Sequence, residues 1–541
     1  LFDGYQIKKG KLRGEVSEGM FCSLEELGLE EEDQSEGILI LDKDTPLGKD
    51  IIEVLDLNKE VLDFEITSNR SDCLSVIGLT REVSAVYGLP YKKINLKYTG
   101  HDIDSNLKAK IDTPLCSRYM AREVTDIKVE ESPLWLKRRL MESGIRPINT
   151  IVDLTNFVML ETGQPLHAFD RNDIKSDLIR VTESKEGDTF TTLDGVERKL
   201  HPGVVLINDD REKIALGGIM GGLDSEVKEG TKTIVIESAS FLGTPTRENS
   251  NKLGVRTEAS ERFEKDISPE LASMALDRIC HLIEKMDLGK VSSYTVDEYP
   301  NPRENPEIEF SKNFINRFLG TDIEKDQMID ILNSLEIDTV STGEDTMKSI
   351  SPYFRNDLFI KEDMAEEIAR IYGYNNIEST LSNVTSHRSG RYKDQITRKR
   401  LLNLLVSSGL SEAIMYSFIG EKDLDKILVA EDSKLRDAVK LKNPLGADFN
   451  IMRTTTLPQM MDALSLNYSR GNRDVKLFEI GKVYIKEGEV LPNEKNVLTI
   501  GMQGKELFYN LKGIVELIES TFKLKGLKYK RSEKKFYHPG V

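Results

Sequence analysis

Histidine, cysteine and tryptophan are scarce in this chain, which spreads six, four and one of them over 541 residues. The four cysteines, Cys22, Cys73, Cys116 and Cys280, stand far apart with no C-x-x-C pair, which excludes a disulfide framework and a cysteine-based zinc site and makes them reduced core residues. No apolar run of about 18 residues is free of charge, and no basic-then-apolar leader opens the chain. Neither a membrane span nor a secretion signal is therefore expected, and the cytoplasm is the default. Positive charge is also in deficit: 75 Lys and Arg against 92 Asp and Glu leave a net charge of −17, which as a whole points away from nucleic acid. There is no readable Ser-His-Asp order, no H-E-x-x-H and no self-similarity at a period of roughly 20 to 50 residues, so triad hydrolases, zincins and repeat folds are excluded on motif grounds. The first residue is Leu1, and "LFDGYQIKKGKLRG" reads as the middle of a domain, so a preceding piece is expected.

What is present is length, and with it domains: a chain of this size outgrows a single core, and four or five domains are expected. Up to residue 48, short strands with Gly turns precede an acidic stretch, "EELGLEEEDQSEG", and suggest a small barrel. In "SNRSDCLSVIGLTREVSAVYGLP" (68–90), Leu74, Ile77, Val83, Val86 and Tyr87 form a helical stripe closed by Gly88 and Pro90. Residues 110–300 mix strands such as "IALGGIMGG" and "TIVIESASF" with helices at 131–143 and 269–286, the pattern of an α+β domain. A Pro-rich linker (298–310) leads to a smaller domain ending in "IARIYGYNNI", and a last domain carries the strand "VKLFEIGKVYIK" (475–486). Basic clusters interrupt the acidic mean at Lys8, Lys9, Lys11 and Arg13, at Lys137–Arg139, at Arg391, Lys393 and Arg398–Arg400, and at Lys523–Lys535. Singly they read as solvated faces; together they permit a polyanion partner.

Four features could carry chemistry. Asp357 precedes a helix with Asp363, Glu366 and Glu367 at offsets of three and four. Such carboxylates share a helical face, either solvated with Lys361 and Arg370 as partners or gathered as oxygen ligands for magnesium. "ALGGIMGGLDSEV" (215–227) concentrates glycines without a dinucleotide or phosphate-loop pattern; it is a tight sheet turn or a place where a ligand meets backbone. Glu237 ends an alternating apolar strand, where a buried carboxylate needs a partner. His167 sits in a Gly-Pro turn after the helix "NTIVDLTNFVMLET", as a hydrogen-bonded turn residue or a site residue.

Longer strings carry a resemblance. "GIRPINTIVDLTNFVMLETGQPLHAFD", "ALGGIMGGLDSEV", "VIESASF", "GVRTEASERFEKDISP", "FRNDLFIKEDMAEEIARIYGYNNI" and "NPLGADFNIMRTTTLPQMM" resemble the bacterial phenylalanyl-tRNA synthetase beta-subunit family, in that family's order and over nearly the whole chain. The resemblance implies a multidomain α+β fold. Its parts would be the end of an OB-type tRNA-binding barrel (1–48), a helical module (49–98), an α+β editing domain (99–297), a small α/β module with the acidic helix (298–377), and a class II synthetase-like antiparallel-sheet core without catalytic motifs of its own (378–541). It implies an assembly of two alpha and two beta chains that joins phenylalanine to tRNA(Phe), with ATP used at the alpha chain and no ATP site here. Correction of mischarged tyrosyl-tRNA would fall to Arg146, His167, Gly221, Glu237, Thr257 and Ala259. Glu237 and the backbone at Gly221 would hold the phenol, Thr257 and Ala259 shape the floor, Arg146 face the tRNA end, and His167 lie near the ester. Asp357, Asp363, Glu366 and Glu367 would hold a magnesium ion shared with the alpha chain. The alternative is a tRNA-docking and assembly scaffold with an inactive pocket. Relative to the family, the front module, most of the barrel and the C-terminal anticodon-reading domain are missing from the string.

Overall fold

The computed structural model describes residues 7–23, 26–27, 37–41, 45–55, 58–103, 105–381, 389–487 and 491–531, which fall into two units, 1–380 and 381–541. The first unit opens with a hairpin of β1 (Gly10–Leu12) and β2 (Glu15–Ser17), the only strands among the described residues up to 48. Most of the acidic stretch lies outside the described residues. After one helical turn, α1 (Ile51–Val54), comes α2 (Val76–Tyr87). Ser75 caps α2 by accepting from the Gly78 N–H, and Gly88, at φ 63°, ends it in the left-handed conformation that glycine tolerates. The helix forms where expected, but its apolar stripe is not a core stripe: Val83, Val86 and Tyr87 are exposed.

The mixed domain that follows contains β3 (Lys108–Ile111), β4 (Cys116–Thr125), α3 (Leu134–Glu142), α4 (Thr150–Thr162), β5 (His167–Asp170), β6 (Leu178–Glu183), β7 (Thr189–Thr191), β8 (Glu197–Lys199), β9 (Val205–Asn208), β10 (Lys213–Leu216), β11 (Met220–Gly221), β12 (Thr233–Phe241), α5 (Gly243–Leu253), α6 (Glu258–Phe263), α7 (Leu271–Lys285), β13 (Lys290–Val291) and β14 (Val296–Glu298). One antiparallel sheet runs β13-β4-β12-β5, with β14 also on β4; the other runs β11-β10-β9-β6-β3, and only its β3–β6 pair is parallel. The strand β12 explains how the two halves meet. Its Ile234 and Ile236 pack with Leu154 and Val158 of α4 and Leu276 and Ile279 of α7. On its other face, Val235, Ala239 and Phe241 pack with Ile179, Val181 and Ile207 of the second sheet. Each of the Val, Leu, Ile and Phe side chains contributes about 1.5–3 kcal/mol by leaving water, so this strand is fixed from both sides and Glu237 has no route to solvent except through a cavity.

A third sheet, β15 (Glu307–Ser311), β17 (Thr346–Ile350) and β16 (Asp338–Ser341) in that order, packs with α8 (Lys312–Leu319), α9 (Lys325–Ser334) and α10 (Lys361–Tyr372) around Ile315, Met328, Leu332 and Met364. In the second unit, β18 (Ser411–Glu412) pairs parallel with β19 (Val475–Ile485), and β19 pairs antiparallel with β20 (Asn493–Gln503). The helices α11 (Lys393–Ser407) and α13 (Leu507–Phe522) close a small core at Leu405, Leu410, Phe478 and Ile514, and α12 (Leu457–Ser469) packs on β20. The strand expected at 475–486 is β19. The end of the last basic cluster, Lys534 and Lys535, lies outside the described residues. The architecture is mixed α and β with several separate sheets.

Candidate active site

A cavity of about 520 Å³ opens in the mixed domain between α4, the edge strand β5, the β10–β11 turn, β12 and the start of α6. It brings together His167, Gly221, Glu237, Thr257 and Ala259. Arg146 is not in its wall; it is exposed on the loop before α4, two residues from Ile148, which does line the cavity.

His167 is not a turn residue. Gly163 (φ 85°) stops α4, the chain extends past Pro165, and His167 becomes the first residue of β5, paired in register with Glu237 of β12. Cross-strand partners point to the same face of a sheet, so the two side chains share one wall of the cavity. The His167 ring meets Phe169 edge-on at 4.6 Å, and its Nε2 is buried with no hydrogen-bond partner. Burial lowers its pKa to about 4, so the imidazole is neutral near pH 7. An unpartnered buried nitrogen is costly unless a ligand completes it.

Glu237 is buried, and burial pushes its carboxyl up to about 7 against the pull of one hydrogen bond, in which the Tyr119 hydroxyl donates to Oε2 at 2.8 Å. The other oxygen, Oε1, has no partner among the described residues. No motif in the sequence points to Tyr119 as the partner of Glu237. Tyr119 lies 118 positions before Glu237, and only the register of β4 against β12 brings them together.

The glycine-rich run folds as the tight sheet turn. It is the hairpin turn between β10 and β11, with Gly218 at φ 72°, and it is also cavity wall. A Cβ on Gly221 would lie 2.6 Å from His167 Cε1 and 2.7 Å from Nε2, so only glycine lets the imidazole stand there. Thr257 caps α6: its hydroxyl accepts from the Ser260 N–H at 3.1 Å and donates to the Ile219 carbonyl at 2.9 Å, tying the glycine turn to the helix that carries Ala259.

The acidic helix α10 has a different character. Arg355, 2% exposed, makes a two-pronged pair with Asp357 (2.8 and 2.9 Å) and reaches Glu367 Oε2 at 2.6 Å; Arg370 also donates to that oxygen at 2.7 Å. Asp363 accepts from the Phe359 and Ile360 N–H groups at the head of the helix, and Glu366 is exposed. Lys361 lies over the Phe314 ring instead of pairing with this face. Two of the four carboxylates are thus neutralised by arginine, and the four do not fit a divalent cation as arranged, so no chemistry is routed through one here. The one close group of potential ligands among the described residues, Asp72, Cys73 and Glu82, is likewise occupied by a guanidinium: Arg70 donates to Asp72 at 2.8 Å and also to Glu82.

Three family descriptions match the sequence: a B3/4 domain over residues 115–287, a tRNA synthetase B5 domain over 308–374, and a phenylalanyl tRNA synthetase beta chain CLM domain over 377–541. The phenylalanine–tRNA ligase beta subunit of Clostridium tetani is 51% identical over 541 residues, covering 99% of this chain and 68% of that protein. The protein of the same name from Clostridium acetobutylicum is 50% identical over 544 residues, with the same coverage. A solved N-terminal fragment of a phenylalanyl-tRNA synthetase beta subunit from Pyrococcus horikoshii is 14% identical, covers 57% of this chain and 85% of that one, and superposes with a TM-score of 0.32.

Proposed function

The chain belongs to the phenylalanine–tRNA ligase beta-subunit family, and from that premise we propose that its own chemistry is hydrolysis of tyrosine wrongly esterified to tRNA(Phe), in the cavity walled by His167 and Glu237. The observation that carries this reading is a buried carboxyl with one unpartnered oxygen in a cavity of about 520 Å³. A synthetic pocket shaped for a phenyl ring rejects tyrosine by only about 10², because the extra hydroxyl merely has to be accommodated. A second pocket built to hydrogen-bond that hydroxyl separates the two far better, since phenylalanine would leave its polar group unpaired. Glu237 supplies the acceptor for the phenol.

The remaining wall supplies the rest. The neutral imidazole of His167, held against Phe169 and given room by Gly221, orients the attacking water or the terminal adenosine through Nε2. Thr257 holds the floor in place around Ala259, and Arg146, exposed beside Ile148, meets the phosphates of the tRNA end. Water adds to the ester carbonyl, and free tyrosine and uncharged tRNA leave.

In this reading an alpha subunit holds the synthesis site and uses ATP and magnesium, two alpha and two beta chains assemble in the cytoplasm, and this chain contributes tRNA docking through the OB-type end and the class II-like core. The test is mischarging by the assembled enzyme. With Glu237→Ala, tyrosyl-tRNA(Phe) should accumulate while phenylalanylation is unchanged; if the mutant mischarges no more than wild type, the pocket is not an editing site.

A further inference from the structure

Behind the cavity wall lies a group that the proposed reaction does not yet use. Tyr119, on β4, is fully buried and lies behind the wall, with its hydroxyl donating to Glu237 Oε2 at 2.8 Å. Strand register accounts for this. Glu237 pairs with Ala121 and Ala239 pairs with Tyr119, so Tyr119 and Glu237 are diagonal neighbours on one face of an antiparallel pair, within reach for a long side chain. With Oε2 held, Oε1 is the one oxygen left to meet a ligand.

We propose that Tyr119 is the positioning residue of this pocket, pinning Glu237 Oε2 so that the carboxylate presents Oε1 as a single acceptor to the phenol of the tyrosyl ester. The inference rests on the editing reading and adds a residue to it. A carboxyl free to rotate could turn either oxygen away from the ligand, and the ordering would then have to be supplied on binding. The Tyr119 hydrogen bond fixes the rotamer beforehand, and it also favours the ionised form, which is the form that accepts without competition from its own proton. The titratable groups facing Glu237 are Tyr119 and Cys116 on β4 and His167 on β5, and Asp194, Glu226 and Glu258 stand elsewhere in the cavity wall. Among the described residues, Tyr119 is the only one that hydrogen-bonds the carboxyl. Without it, burial alone would govern the Glu237 proton and keep it on the carboxyl to higher pH.

The experiment is steady-state hydrolysis of tyrosyl-tRNA(Phe) by the assembled alpha–beta enzyme from about pH 6 to 9, for wild type, Tyr119→Phe and Glu237→Gln. Phenylalanine keeps the buried ring and removes only the hydroxyl, and a melting curve confirms that the fold is kept. Tyr119→Phe should raise KM about tenfold, the weight of a hydrogen bond to a charged group, with a smaller change in kcat. It should also move the acidic limb of the rate profile to higher pH, whereas Glu237→Gln should lose that limb. A wild type that hydrolyses the ester, paired with a Tyr119→Phe variant of unchanged KM and pH profile, overturns the inference and leaves the editing reading standing. Persistence of the limb in Glu237→Gln also overturns it. A wild type inert toward the ester overturns the editing reading, and the inference with it.

Discussion

Replacing Glu237 by glutamine should make this domain more stable at neutral pH, at the expense of its proposed use. In the folded chain, burial raises the carboxyl from 4.5 to about 7, a difference that corresponds to about 3 kcal/mol. Because the folded value is the higher one, the native state holds a proton that the unfolded chain has released throughout the window from about 4.5 to 7. Wild-type stability from this group therefore falls as pH rises through that window and levels off above it. Glutamine does not titrate and can still accept from the Tyr119 hydroxyl, so the stability gap between variant and wild type should widen by about 3 kcal/mol between pH 4.5 and 7.5. His167 moves the other way, with a folded value lowered to about 4 that costs stability as pH falls below 6.5, but it is present in both proteins and cancels in the difference. The assay is urea unfolding followed by fluorescence of Trp135. This is the only tryptophan in the chain, and it lies on α3 of the same domain with its ring 5.5 Å from Phe157. Parallel stability curves for the two proteins across this pH range would refute the reasoning.

Other substitutions probe the supports of the site. Gly221→Ala should abolish tyrosyl-ester hydrolysis and destabilise the domain by about 1–3 kcal/mol, because its Cβ would occupy the space of the His167 ring; crystallography or the same unfolding assay would show it. Arg355→Met should cost about 1.5–3 kcal/mol, because buried Glu367 keeps only Arg370 as its partner and Asp357 loses its two-pronged pair, and Arg355→Met with Glu367→Leu should recover part of the loss in a thermal melt. Adding millimolar magnesium to this chain without an alpha subunit should not raise its melting temperature, since the arginines already neutralise Asp357 and Glu367; a clear rise would show a ligand set that this arrangement does not contain.

Much of the site was legible in the sequence, and the limits have physical reasons. The stop signals after α4, the Gly-rich turn and the carboxylate in "TIVIESASF" mark places where a chain does something special, and all three converge on one cavity, although Glu237 lies in the middle of β12 and not at a strand's end, because the strand continues through Ser238 to Phe241. Their convergence was not legible, because it depends on β12 pairing with both β4 and β5 across long sequence separations. Gly163 and Pro165 announce a turn at His167, but one residue after Pro165, Leu166, is enough for the chain to reach the sheet edge. Periodicity marks α2, but a helical pattern records which residues share a face and not whether anything covers that face, and Val83, Val86 and Tyr87 are exposed. On α10 the offsets suggest one acidic face, yet Asp363 turns back to the head of the helix, Glu366 is exposed, and Glu367 is buried on Arg355, which reaches it from twelve residues upstream.

The measurement that bears most directly on the central claim is deacylation of preformed tyrosyl-tRNA(Phe) and phenylalanyl-tRNA(Phe) by the enzyme assembled with its alpha subunit, comparing wild type with His167→Ala and Glu237→Ala. The account predicts that wild type hydrolyses the tyrosyl ester and spares the phenylalanyl ester, and that both variants lose the activity. Equal, negligible loss of the two esters with wild type would contradict it and leave the chain a scaffold for tRNA.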